Sequence, residues 1–210
     1  MERTRAFRRL AQWGARFPLA AVGGLVYHKR SLLLLKAQQN KELIMAPPLL
    51  PDDDPLLIEF ARELASARAT SYPLLLASYC CTTPNPAEAT ATLDAVAAAV
   101  GYQGLGAGWI AVPRRIAAKL LTQIIASELA YPTEVLPREQ AEALAGRFLG
   151  RFAQNARYYT NGAISGEFAV YDAQGNEVLG WRSLSSAPFD NGVVALDQQR
   201  VALLWAEDAP

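Results

Sequence analysis

Histidine is almost absent from this 210-residue chain, His28 being the only one. No Ser-His-Asp or Cys-His relay and no multi-histidine metal site can be assembled from the rest of the sequence. Lysine is nearly as scarce. After residue 44 only Lys119 remains, inside a predicted helix with Thr122 three residues on, so a Ser-Lys pair has a single lysine to draw on. Cysteine is confined to the neighbours Cys80 and Cys81. A disulfide between adjacent residues demands a strained peptide, and no third sulfur or nearby histidine completes a metal site, so both are read as reduced, buried structural thiols. The lack of a disulfide framework favours a cytoplasmic home. Neither a cofactor nor a metal is expected, and no residue is nominated as catalytic.

A membrane-spanning run is missing as well. Residues 17–27 form an apolar stretch of eleven that follows a basic start, as the core of a signal peptide does. It is too short to cross a bilayer, no small-x-small cleavage pattern follows it, and His28-Lys29-Arg30 interrupts it. A hydrophobic content of 51%, a charged content of 19% and a mean hydropathy of +0.07 are those of a globular protein, with length for one full domain and a short appendage.

The net charge of zero hides an asymmetry. Residues 1–44 hold nine basic against two acidic residues, a balance of +7, which leaves 11 basic and 18 acidic residues, a balance of −7, for residues 45–210. A basic arm therefore precedes an acidic body, two surfaces suited to different partners. The first sixteen residues can form a helix with Phe7, Leu10, Trp13 and Phe17 on one side and basic residues over the rest. Three readings follow: an ordinary helix packed on the body; a membrane-surface or targeting segment within residues 1–30, contacting anionic lipid through Arg5, Arg8, Arg9, Trp13 and Arg16; or a dispensable extension, with Met45 opening the acidic part as an N-terminus would.

Phosphate-binding glycine motifs are absent. Gly101, Gly104, Gly106 and Gly108 follow a predicted helix, have neither dinucleotide nor P-loop spacing, and read as a connector that lets Trp109 tuck against the core. What is present is an α+β pattern. A Pro- and Asp-rich linker at 45–54 leads to helices at 55–69, where Asp54 caps and Pro55 starts, and at 86–100, where Asn85, Pro86 and Glu88 make a capping-box signature and Gly101 terminates. Further helices are expected at 113–130 and 137–154, and the apolar run 72–81 reads as a buried helix. The sheet occupies 157–206. Residues 157–160 form a short first strand, residues 167–171 and 177–181 a hairpin, and residues 192–196 and 200–205 a second hairpin fed by a turn at Asp190-Asn191-Gly192. The last strand, apolar at every position, is expected inside the sheet. The expectation is thus one α+β domain over 55–210, with four to five helices in an N-terminal layer on one face of a C-terminal four-stranded antiparallel meander.

Three functions are compatible with this pattern. Tyr158, Tyr159, Trp181, Phe189 and Trp205 are anchor-type aromatics near the acids Glu167, Asp190, Glu207 and Asp208, which points to non-enzymatic recognition of a protein partner, possibly basic, through an exposed, acidic face of the sheet, as in an immunity protein, chaperone or adaptor. Docking on a membrane through the arm is the second reading. The third is a carboxylate-based hydrolase or divalent-metal enzyme in which two strand-end acids, such as Glu167 and Asp190, converge. No nucleic acid is expected, because the body is acidic and carries no nucleic-acid-binding signature.

Overall fold

The computed structural model describes residues 48–68, 74–81, 88–131, 133–164 and 168–209. The chain divides into two units, Met1–Leu43 and Ile44–Pro210, and every described residue belongs to the second. The arm residues Arg5, Arg8, Arg9, Trp13 and Arg16 lie outside the described residues, as do Glu167, Asn85 and Pro86. Among the described residues no helix is long and apolar enough to cross a membrane.

The α+β class holds: the described residues form four α-helices and a six-stranded antiparallel sheet. In chain order the elements are β1 (Leu50–Pro51), α1 (Pro55–Ala67), β2 (Leu75–Cys80), α2 (Ala89–Ala99), β3 (Ile110–Val112), α3 (Arg114–Ala126), α4 (Arg138–Gly150), β4 (Arg157–Thr160), β5 (Phe189–Leu196) and β6 (Arg200–Asp208). The strands lie in the order β1-β2-β6-β5-β4-β3.

Local chemistry explains the helix ends. The Asp54 carboxylate accepts the Leu56 amide hydrogen at 3.0 Å, and Pro55 lacks a donor just where a helix start cannot use one. Gly101, at φ +84°, closes α2, with the amide of Tyr102 turned back to the Ala97 carbonyl at 2.8 Å. Helix α2 begins at Ala89, three residues later than its capping signature predicts, with Glu88 at the cap and no side-chain cap bond. Helix α3 stops at Ala126 because Ser127 is extended and bridges Glu134.

The sheet departs from a four-stranded meander in three ways. Half of its strands come from the N-terminal part: β1 from the linker, β3 from the stretch after the glycines, and β2 from the apolar run read as a helix. Residues 75–80 lie between β1 and β6, with Leu75 opposite Trp205 and Cys80 opposite Arg200, and pairing along that whole length decides for a strand. The hairpin expected at 167–181 does not join the sheet. Its turn forms, because the Asp172 carboxylate accepts the amide hydrogens of Gln174 and Asn176, but among the described residues its arms meet only at a Tyr171–Glu177 bridge. Gly180, at φ +107°, then redirects the chain and Trp181 bridges Gly162 instead. Asp190-Asn191-Gly192 is no turn either, lying inside β5 opposite Glu207, Ala206 and Trp205.

The third departure matters most for function: helices cover both faces of the sheet. The period of two divides β6 cleanly. Ala202, Leu204 and Ala206 join Phe60, Leu120, Ile124 and Phe148 of α1, α3 and α4, whereas Val201, Leu203 and Trp205 join Leu93 and Val96 of α2 with Trp109 and Leu184. As an interior strand covered on both sides, β6 matches its unbroken apolar sequence. The glycine connector is fastened by a residue the sequence did not announce. The Asp94 carboxylate accepts the Gly106 amide at 3.1 Å and the Trp109 indole N–H at 2.8 Å, and a Cβ on Gly104 would sit 2.5 Å from it.

Candidate functional site

Two acids at the end of the β5–β6 hairpin are buried rather than exposed. Asp190 Oδ2 accepts the amide hydrogens of Leu184 at 2.7 Å and Ser185 at 2.6 Å, while Oδ1 accepts from Asn161 Nδ2 at 3.1 Å. Asn161 Nδ2 also donates to the carbonyls of Arg182 and of Asp190 itself. This single carboxylate thus folds residues 182–185 back onto its own strand. Burial, and behind it the charge of Glu207, holds the carboxyl above the ordinary aspartate range despite those donors. Glu207, directly across the hairpin, hydrogen-bonds Tyr102, whose hydroxyl is pushed up chiefly by burial and then by Glu207.

Asp208 lies on the other face. It forms a buried ion pair with Arg68 at 3.3 Å and accepts the amide hydrogen of Leu129. Arg68 Nε and Nη1 are buried with no partner among the described residues. A pair this deeply buried fixes geometry more than it adds stability. Here it pins the segment after α3 against the end of β6.

Between the two pinned loops lies a cavity of about 100 Å3, lined by Leu129, Ile164, Trp181, Phe189, Asp190 and Asn191. Trp181 and Phe189 form one wall, their ring centroids 5.8 Å apart and tilted by 33°. Asn191 donates to the Gly162 carbonyl at 3.3 Å, but its Oδ1, like that of Asn161, is buried with no partner among the described residues. The framing loops also present apolar side chains to solvent: Trp181 is 36% exposed, Tyr131 52% and Leu179 90%.

Of the residues selected from the sequence, the fold gathers Trp181, Phe189 and Asp190 in this cavity. The others go elsewhere. Tyr158 is buried under α3, its hydroxyl accepting from Arg114 Nη1 at 2.6 Å, and Tyr159 packs partly buried on the opposite core. Tyr158 is therefore not presented to solvent and Tyr159 only partly so, and among the described residues helices pack on both faces of the sheet. Asp190 and Asp208 are not surface acids: each is buried, Asp190 accepting from Leu184, Ser185 and Asn161 and Asp208 from Arg68 and Leu129. The sequence missed Leu129, Ile164, Asn161, Asn191 and Arg68. Asn161-Gly162 and Asn191-Gly192 were the available signal, a polar residue beside a glycine where backbones approach closely; a Cβ on Gly162 would lie 2.2 Å from the Gly180 carbonyl.

Among the described residues no three His, Cys, Asp or Glu side chains converge as a metal site would require. A groove of about 400 Å3 between α1 and α4 is spanned by its own ion pair, Arg147–Glu63 at 2.5 Å. Comparison of the chain with protein-family models, with curated proteins and with solved structures returns no significant match, so its function rests on the site itself.

Proposed function

We propose that the protein acts by non-enzymatic recognition of a protein partner, work of the immunity, chaperone or adaptor kind, and that the cavity beside Trp181 seats one side chain of that partner. The observation that carries the reading is the cavity's size and rim taken together. Ligand and cofactor sites run from roughly 300 to 1,000 Å3, and an engineered cavity of roughly 150 Å3 holds a benzene ring. At about 100 Å3 this one matches the tip of a single aliphatic chain. One wall is the tilted Trp181–Phe189 pair, and Leu179, two residues from the tryptophan along the chain, is exposed, so apolar surface lies beside the cavity as it does around an interface anchor. The free Cys80 and Cys81 support a reducing, cytoplasmic setting.

The test is capture from an extract of the source cell with four baits: the full chain, the chain begun at Met45, Trp181→Ala, and Leu56→Ala as a control on another exposed apolar residue. The expected result is a protein held by the first two and by the control, and held roughly 30-fold more weakly by Trp181→Ala, the loss typical of a hot-spot residue. Undiminished capture by Trp181→Ala would remove the cavity from the function. Capture by the full chain only, or of lipid and membrane proteins, would transfer the function to the basic arm.

A further inference from the structure

Resting on that reading, we infer that the partner presents an extended, acidic segment that adds a strand to the sheet at the outer edge formed by residues 180–182 and β3. The backbone shows the opening. Around the Gly162–Trp181 bridge, Ala163 donates to the Gly180 carbonyl at 2.8 Å and Arg182 to the Asn161 carbonyl at 3.0 Å. In an antiparallel ladder, bonds made by the flanking residues leave the two bridged residues with their own groups turned away from each other. The Gly162 carbonyl accordingly meets Asn191 of β5, and the Trp181 N–H and C=O point to the opposite side, where no backbone partner lies among the described residues. The register continues along β4, with Thr160 opposite Ile110 and Tyr158 opposite Val112, so residues 180–182 and β3 follow one another as a broken edge strand. In the strand order β3 comes last. A free edge of this kind is a template for another strand, and the exposed Leu179 and Trp181 offer apolar contacts to its side chains.

Charge selects the chemistry of that strand. The three stretches that meet here, residues 105–115, 157–163 and 179–185, hold Arg114, Arg115, Arg157 and Arg182 and not one acid. Arg114, Arg115 and Arg182 are exposed, and none of them forms an ion pair among the described residues. Arg114 turns to the neutral Tyr158 hydroxyl, and Arg182 lies along Gly108, where a Cβ would come within 2.8 Å of its Nη1. A basic edge on a body whose balance is −7 favours an acidic segment, opposite in sign to the partner that the overall charge suggests. A second copy of this chain would set these arginines against their own kind. A phosphodiester backbone carries no donor for the Trp181 carbonyl, whereas a peptide backbone supplies both donor and acceptor.

The probes are three blocked hexapeptides: alternating valine and glutamate, alternating valine and lysine, and the first with its amides N-methylated. Each is titrated into the full chain labelled with nitrogen-15 tryptophan, and the backbone amide of Trp181 is followed by NMR as the signal that Trp181→Phe removes. The valine-glutamate peptide is expected to shift this signal saturably and to slow its exchange with solvent, while the amide of Trp205, in the interior strand β6, stays unchanged. The lysine and N-methylated peptides should bind roughly tenfold more weakly, and Arg182→Glu should reverse the preference between glutamate and lysine. Equal binding of both charges, undiminished binding of the N-methylated peptide, or a Trp181 amide indifferent to all three would overturn the inference. The two proposals separate cleanly. If the amide ignores every peptide yet partner capture still depends on the Trp181 side chain, the added strand falls and the recognition reading stands; if capture is also indifferent to Trp181→Ala, both fall.

Discussion

Asp190 shows how much one side chain can organise. Replacement by alanine strands two donors, the Leu184 and Ser185 amides, while Asn161 Nδ2 keeps the Arg182 and Asp190 carbonyls; each orphan costs about 1–3 kcal/mol, so Asp190→Ala should lower stability by at least about 2 kcal/mol in urea unfolding. Asn is no substitute for it, because an amide nitrogen would then face Asn161 Nδ2. The pH dependence has a definite sign. The carboxyl is raised in the fold relative to the unfolded value of 3.8, so its contribution is complete below 3.8 and declines as pH climbs through the raised value. The two thiols differ in the same physical terms. Cys80 is exposed, whereas Cys81 is buried and its thiol is pushed up to about 11 by desolvation. A thiol reagent at neutral pH should therefore modify Cys80 rapidly and Cys81 only after denaturation, and equal rates at both would contradict the burial.

Elements were legible where short-range chemistry sets them. Asp54-Pro55, Gly101 and the Asp197 turn, whose carboxylate accepts the amides of Gln199 and Arg200, each announce a boundary that the fold respects. Elements set by distant partners were not. Nothing local tells residues 75–80 that β6 is waiting on one side and β1 on the other. The triplet Asp190-Asn191-Gly192 has the composition of a turn, yet it is strand because Trp205 occupies the space over Gly192. A Cβ there would meet the indole at 2.4 Å, so Gly192→Ala should cost about 1–3 kcal/mol and lower the melting temperature. The same divide runs through the site. Trp181, Phe189 and Asp190 drew notice as aromatics and acids near strand ends, but Leu129, Ile164 and Asn191 reach the cavity only through the tertiary fold. A second element-scale test concerns α1. Arg151, first, and the Leu56 amide hold the Asp54 carboxyl below its usual range, so that contribution exists above pH 3.8 and is lost as pH falls through the depressed value. Asp54→Asn should unfold at a lower urea midpoint than the parent at pH 7, and the gap should close in acid.

At the scale of the molecule, a central hairpin shared by two cores makes the layers interdependent. One core holds Leu120 of α3 with Leu204 of β6, the other Leu93 of α2 with Leu203, and adjacent residues of the same strand thus belong to different layers. Neither layer can release β6 without exposing the other's apolar surface, so helix loss and tertiary loss should coincide in one transition. The T-shaped Trp109–Trp205 pair, with centroids 6.3 Å apart, reports the α2 side in near-ultraviolet circular dichroism, and the far-ultraviolet signal reports helix content, including α1 to α4. Leu93→Ala, which empties a fully buried site, should cost about 2–5 kcal/mol and move both signals to the same lower midpoint. Leu120→Ala, on the opposite face, should do the same, although it lies across the sheet from the tryptophan pair. If Leu93→Ala shifted the near-ultraviolet transition and left the far-ultraviolet one in place, the two layers would be separate folding units joined at a sheet. The cavity beside Trp181, framed by loops from both sides, would then lose the rigidity that the proposed seating of a side chain requires.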